Sequence, residues 1–258
     1  MENKKPLILV VNDDGITAPG INFLISVIKN FGEVVVVAPD KAMSGMGHAI
    51  TINSTLRLNE YKNNWGVKAY SCSGTPVDCV KFGTKVVGKG RVFDLVVSGV
   101  NHGTNSSINV IYSGTMSAAV EGSIEGIPSV GFSLDDHGLD ADFSGCEDVI
   151  KKVISSVLSN QMEKGYSLNV NIPKVSKEKI KGIRVCRQAK AYWNEDFEKR
   201  KDPFGETYYW LTGEFVYEDK GEDTDIWALR NNYVSVVPTQ FDLTNYGALE
   251  VLKNWNGF

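Results

Sequence analysis

The chain has 258 residues, 42% of them hydrophobic and 22% charged, with a formal net charge of −4. That suits one large globular domain, or a domain with an extension, holding a sizeable core. The acidic balance argues against binding a nucleic acid duplex through bulk charge, and no apolar run reaches the length of a membrane span.

The elements follow in chain order. "LILVV" (7–11) reads as a strand buried on both faces. "PGINFLISVIKNFG" follows, with Ile21, Leu24, Ile25 and Ile28 at helical spacing and Gly32 as a stop. "EVVVVAPD" is a second buried strand, so the three form a βαβ unit with parallel strands. "SGTPVDCV" (73–80) leads into a helix with Pro76 near its first position. "VFDLVVSGVN" (92–101) is another strand, and "SGTMSAAVEGSIEG" (113–126) a helix rich in small residues. "IPSVGFSL" (127–134) is a strand, "GCEDVIKKVISSVLSNQ" (145–161) an amphipathic helix, and "SLNVNIP" (167–173) a further strand. Strands alternating with helices predict an α/β fold, a doubly wound, mainly parallel sheet in three layers.

The pattern changes after about residue 180. "ETYYWLTGEFVYE" (206–218), with Thr212-Gly213 at its middle, predicts a β-hairpin. "EKRK" (198–201) reads as a solvated loop. "YVSVVPTQFDLTN" (233–245) is a strand and turn, and "YGALEVLKNW" (246–255) a short helix. The aromatic content of this extension suits a subunit contact or packing back onto the core. The four cysteines, Cys72, Cys79, Cys146 and Cys186, match no zinc or dense disulfide spacing. The N-terminal "MENKKPLILVV" runs into Asn-Asp-Asp rather than a small-residue cleavage site, so a cytoplasmic chain is expected.

In open α/β sheets, ligands bind beyond the carboxyl ends of the strands. Three proposed strands end in polar groups: Asn12-Asp13-Asp14-Gly15, Asp40 before "KAMSGMGHAIT", and Asn101 before "HGTN". Neighbouring carboxylates at the end of a buried strand repel each other and resist desolvation. In a regular strand Asp13 and Asp14 would face opposite ways, but Gly15 lets the chain turn so that both enter one crevice. Carboxylate and amide oxygens are hard ligands for Mg²⁺, Mn²⁺ or Ca²⁺, and such an ion removes the repulsion. Asn101 adds a neutral oxygen, and the Ser44 hydroxyl completes the set. Each has a plainer reading too: Asp14 as a helix N-cap or turn residue before "GITAPG", Asn101 in an Asx-turn, and Ser44 as an ordinary loop serine.

Ser113, Gly114 and Thr115 stand before the small-residue helix, where free N–H groups and the helix dipole attract phosphate. A Ser/Thr N-cap with no ligand is the plainer and commoner role for such residues. The Ser-Gly-Thr at 73–75 fits capping better than binding. His48 and His102 lie in the polar loops as candidate proton shuttles or plain hydrogen-bonding groups, and His137 lies in the acidic "DDHGLDAD".

These motifs together resemble the SurE (survival protein E) family of metal-dependent nucleotidases and acid phosphatases. The resemblance is carried, in family order, by "VNDDGITAPGI", "APDKAMSGMGHAIT", "CSGTPVDCV", "DLVVSGVNHGTN", "YSGTMSAAVEG", "GIPSVGFS", "LNVNIP" and "TDIWALRNNYVSVVP". It implies a Rossmann-like core over residues 1–180, and an extension over 181–258 used in homodimer or homotetramer assembly. It implies one divalent cation per subunit, Mg²⁺ or Mn²⁺, held by Asp13, Asp14, Ser44 and Asn101. Asn105 and the Ser113–Thr115 loop would hold the phosphate of a nucleoside monophosphate or other small phosphomonoester. Two departures are visible: Ser106 and Ser107 stand where the family usually has glycine, and Asn232 where it often has one.

The reaction this implies is phosphomonoester hydrolysis with Asp13 and Asp14 at its centre. A haloacid-dehalogenase-type phosphatase would need Asp-x-Asp, and the two aspartates here are adjacent. A dinucleotide-dependent oxidoreductase would need Gly-x-Gly-x-x-Gly after the first strand, where Asn-Asp-Asp-Gly stands. A non-catalytic metal or nucleotide sensor on the same fold is the alternative of a different class.

Overall fold

Five consecutive apolar residues form β1 (Leu7–Val11), and all five are buried. Their side chains alternate between two cores, as strand geometry requires. In the computed structural model, which describes residues 5–138, 140–160, 162–255 and 257, Ile8 and Val10 face one cluster and Leu7, Leu9 and Val11 the other. The chain continues through α1 (Pro19–Ile28), β2 (Glu33–Pro39), β3 (Leu58–Glu60), β4 (Lys68–Cys72) and α2 (Pro76–Phe82). Then come β5 (Leu95–His102), α3 (Asn109–Tyr112), α4 (Gly114–Ile124), β6 (Ser129–Asp135), α5 (Glu147–Ser159) and β7 (Tyr166–Pro173). The last part holds β8 (Ile183–Val185), β9 (Ala191–Lys201), β10 (Thr207–Tyr217), α6 (Asp225–Arg230), β11 (Val234–Gln240) and α7 (Tyr246–Leu252).

The main sheet has nine strands in the order β3-β4-β2-β1-β5-β6-β7-β11-β8. It is mainly parallel; β3 on β4 and β11 on β7 are the antiparallel pairs. Ile21, Leu24, Ile25 and Ile28 of α1 and Ile150 and Ile154 of α5 cover one face. Cys79 and Val80 of α2 and Ala118 of α4 cover the other. Full burial of each large aliphatic side chain contributes about 1.5–3 kcal/mol, and the three-layer α/β fold expected from the sequence is the one observed.

The hairpin differs from expectation. Residues 207–217 do not turn at Thr212-Gly213; they form one strand, β10, paired antiparallel with β9 from Thr207↔Lys201 to Tyr217↔Ala191. The turn is Asp202–Glu206, where the Asp202 carboxylate accepts the amides of Phe204 and Glu206. Pro after Asp, and Gly two residues on, favour that turn. Gly213 sits inside the strand because the partner backbone is close: a Cβ there would lie 2.9 Å from the Asn194 carbonyl oxygen. The basic "EKRK" is likewise strand rather than loop. Residues 191–217 form this separate two-stranded sheet, while β8 and β11 return to the main sheet.

Candidate active site

β2 lies on one side of β1 and β5 on the other. This is the point where the winding of the sheet reverses, the position at which such folds leave a crevice. β1 ends at Val11, so Asn12, Asp13 and Asp14 lie beyond the regular strand. The Asn12 amide donates to the Gly15 carbonyl at 2.8 Å, closing the turn, and Gly15 takes φ +97°. Asp13 is buried, and its carbonyl accepts the Met43 amide at 2.7 Å, which pins the start of the loop bearing Ser44.

The two carboxylates reach different elements of one crevice. Oδ1 of Asp13 accepts the Thr115 hydroxyl of α4 at 2.5 Å. Oδ2 of Asp14 lies 3.4 Å from the His102 amide at the end of β5. Asp14 therefore does not cap α1, whose cap is Ala18. Burial and the neighbouring Asp14 push the Asp13 carboxyl up to about 6. Burial also raises Asp14, against the lowering pull of the His102 amide. The His102 side chain adds a further lowering pull on Asp14.

Between Ser98 and Asn101 the pairing of β5 with β6 shifts register, an irregularity of the kind that re-aims a side chain. The Asn101 amide nitrogen donates to the Gly103 carbonyl at 2.7 Å. Its oxygen is thereby turned toward the Thr115 hydroxyl, 3.3 Å away, on the Asp13 side. The Asx-type contact and a ligand role are thus compatible, since one uses nitrogen and the other oxygen. Asp13, Asp14 and Asn101 offer only hard oxygen donors, and two neighbouring carboxylates with an amide oxygen fit a small divalent cation. Ser44 is on the exposed loop, one residue past Met43, and among the described residues its hydroxyl has no hydrogen-bond partner.

The start of α4 is packed directly on Asp13. A Cβ at Gly114 would lie 2.7 Å from the Asp13 Cβ, so only glycine allows the approach. The Ser113 hydroxyl accepts the Met116 amide at 3.0 Å and is the helix cap. Asn105 is buried at the start of the same connection and donates its side-chain amide to Ser133 Oγ at 2.8 Å. At 73–75 the structural reading holds: Thr75 and Asp78 form a reciprocal capping box on α2.

Both loop histidines are tethered. His48 Nε2 is 3.0 Å from Glu121 Oε2 of α4, which also pairs with Lys81 of α2. His102 Nε2 bonds the Gly138 carbonyl. The His137 ring lies against Gly103.

Ser107 and Asn232, both at departures from the family pattern, have positive φ, +54° and +65°, alone among described non-glycine residues. Ser107 is held there by its amide to Asp225 Oδ2 (2.7 Å) and its hydroxyl to the Ala189 carbonyl (2.9 Å). Sequence reasoning misses Ser133, Asn169, Asn171 and Asp225. Their signal was a polar residue inside a strand or helix start that the surrounding pattern buries.

The profile described as "Survival protein SurE" matches residues 8–195. The chain is 62% identical to the "5'-nucleotidase SurE" of Flavobacterium psychrophilum, covering 98% of each, and 60% identical to that of Flavobacterium johnsoniae, covering 99% of this chain and 98% of the relative. Its fold matches the crystal structure of the SurE protein from Aquifex aeolicus with a TM-score of 0.82 and 42% identity, over 96% of this chain and 98% of that one. With the paired carboxylates after β1 in place, the agreement in sequence and fold along nearly the whole chain shows that it belongs to the SurE family.

Proposed function

We propose that this chain is a metal-dependent phosphomonoesterase that hydrolyses nucleoside 5′-monophosphates to nucleoside and phosphate. The carrying observation is the placement of Asp13, Asp14 and the Asn101 oxygen against the start of α4 and the end of β5. The names of the 62% and 60% identical relatives support the same reaction.

Asp13, Asp14, Asn101 and Ser44 hold one divalent cation, Mg²⁺ or Mn²⁺. When bound, it supplies Lewis-acid polarisation of a phosphoryl oxygen and offsets the charge of the carboxylates. The amides of Gly114 and Thr115, at the positive end of α4, face the phosphoryl group and stabilise its charge. The Ser113 hydroxyl holds that helix end in shape, and Asn105 completes the phosphate pocket. The Thr115 hydroxyl orients Asp13. Asp14, half-buried and weakly bonded, is the better placed of the pair to orient the attacking water and take its proton. Oxygen from water bonds to phosphorus as the ester P–O bond breaks, and the departing nucleoside oxygen takes up a proton, so that one water is consumed and nucleoside and phosphate are released.

The extension bears exposed Phe197, Tyr209, Trp210 and Leu211 on β9 and β10, which supports assembly into a homodimer or homotetramer. Four unpaired, buried thiols suit a reducing, cytoplasmic compartment. Among the described residues no helix is long and apolar enough to cross a membrane.

The test is phosphate release from a panel of nucleoside 5′- and 3′-monophosphates with Mg²⁺ or Mn²⁺, and with EDTA. Metal-dependent release, fastest from 5′ esters, is expected. Metal binding without release from any ester would favour the sensor reading.

A further inference from the structure

Beyond the metal ligands, the carboxyl ends of the central strands carry a second polar arrangement. Asn101 of β5, Ser133 of β6 and Asn171 of β7 are successive neighbours in register. Asn169 lies two residues before Asn171, on the same side of β7, and both are buried.

Their hydrogen bonds form a closed circuit around Asn105. The Asn105 amide N–H donates to Asn171 Oδ1 at 2.7 Å. Asn171 Nδ2 donates to Asn169 Oδ1 at 2.8 Å. Asn169 Nδ2 donates back to the Asn105 carbonyl at 2.8 Å. Thr104 adds its hydroxyl to Asn171 Oδ1 at 3.1 Å, and the Asn105 side chain reaches Ser133 in the same row. Both backbone polar groups of one loop residue are thus gripped by two side chains that also grip each other.

A single bond would suffice to anchor a loop. Gripping both N–H and C=O fixes the peptide planes on either side of Asn105 and so the direction of its side chain. Buried networks with every member satisfied specify one geometry in this way. We infer that Asn169 and Asn171 are positioning residues for phosphate capture, acting through the clamped backbone of Asn105. The inference rests on the reading of Asn105 as a phosphate-binding residue.

Asn171→Leu removes the acceptor for the Asn105 amide at similar volume. The readouts are KM and kcat for adenosine 5′-monophosphate with Mn²⁺, the inhibition constant for inorganic phosphate, Mn²⁺ affinity by calorimetry, and hydrogen exchange across residues 104–110. KM and the phosphate inhibition constant should rise roughly 10- to 100-fold, as misplacement by about an ångström does elsewhere. Exchange at 104–110 should quicken, while Mn²⁺ affinity stays at the wild-type value. Asn171→Asp should recover part of the loss, because a carboxyl oxygen keeps the acceptor for the Asn105 amide and the Thr104 hydroxyl. If Asn171→Leu does not fold, Asn171→Ser should show the same shift in KM.

A folded Asn171→Leu or Asn171→Ser with wild-type KM and phosphate inhibition overturns the inference, whatever its melting temperature. So does an Asn171→Asp variant as impaired as Asn171→Leu. A wild-type protein that releases no phosphate from any ester defeats the functional reading instead. Calorimetric binding of inorganic phosphate with Mn²⁺ then decides the clamp: weakened in Asn171→Leu it stands, and equal in both or absent from both it falls.

Discussion

Thr115 and Asp13, 102 residues apart in the chain, are joined by a 2.5 Å hydrogen bond from the threonine hydroxyl to carboxylate Oδ1. The same hydroxyl lies 3.3 Å from the Asn101 oxygen. One side chain in the first turn of α4 therefore aligns oxygen donors from the ends of β1 and β5.

Thr115→Val keeps the shape and removes that donor. Groups that orient metal ligands typically contribute about 10- to 100-fold in affinity or activity. A loss in that range is expected in both Mn²⁺ affinity, measured by calorimetry, and kcat/KM for adenosine 5′-monophosphate. A drop in only one of them would separate Thr115 from ligand orientation.

Gly114→Ala places a methyl group against Asp13, with its Cβ 2.7 Å from the aspartate Cβ and 3.0 Å from Oδ2. Overpacking of this kind costs about 1–3 kcal/mol. A lower melting temperature together with a severe loss of turnover is expected; wild-type values of both would show that α4 can retreat without consequence.

Asp13 titrates near 6 rather than at its ordinary 3.8, chiefly because it is buried and secondly because Asp14 is beside it. A folded-state pKa above the unfolded value means the stabilisation is complete below about pH 4 and is lost as pH rises through about 6. In the metal-free protein at pH 8 the ionised group then costs on the order of 2–3 kcal/mol. Asp13→Asn should therefore raise the metal-free melting temperature at pH 8, lose the rise given by Mn²⁺, and abolish turnover. Melting curves with EDTA and with Mn²⁺ at pH 5 and pH 8 check all but the last.

Asn232 follows α6 in the left-handed region, with its amide bonded to the Leu229 carbonyl at 3.0 Å. Asn232→Gly should stabilise the fold by about 0.5–1 kcal/mol, because glycine meets no Cβ penalty there. Ser107 shares that conformation but also holds the Ala189 carbonyl. Ser107→Gly should be near neutral, and Ser107→Ala about 1 kcal/mol worse than Ser107→Gly. Urea denaturation of the three variants settles the order.

Much of this site was legible because strand ends in a parallel sheet share one edge. The run Leu7–Val11 into Asp13 and Asp14, and Leu95 onward into Asn101, placed three oxygen donors without coordinates. Thr115 was legible only in part. Its position before a small-residue helix suggested a phosphate donor, whereas its hydroxyl is committed to Asp13. That depends on the packing distance between α4 and β1, which no local pattern encodes. The hairpin turn was misplaced because Gly213 looked like a turn residue, when it answers to close approach of the Asn194 backbone. β3, β4 and β8 are not legible in the sequence because they are short, with mixed polar and exposed positions. The Asn105 clamp was invisible because "NVN" names its parts but not the loop, 64 and 66 residues away, that they grip.

The central claim is that Asp13, Asp14 and Asn101 form one metal centre on which turnover depends. Mn²⁺ titration of wild-type protein and of Asp14→Asn, following heat of binding and phosphate release from adenosine 5′-monophosphate in the same samples, tests it most directly. The expected result is one Mn²⁺ per subunit in the wild type, release that rises with that occupancy and stops with EDTA, and loss of both in Asp14→Asn. Release that continues in EDTA, or an Asp14→Asn variant with wild-type binding and turnover, would contradict it.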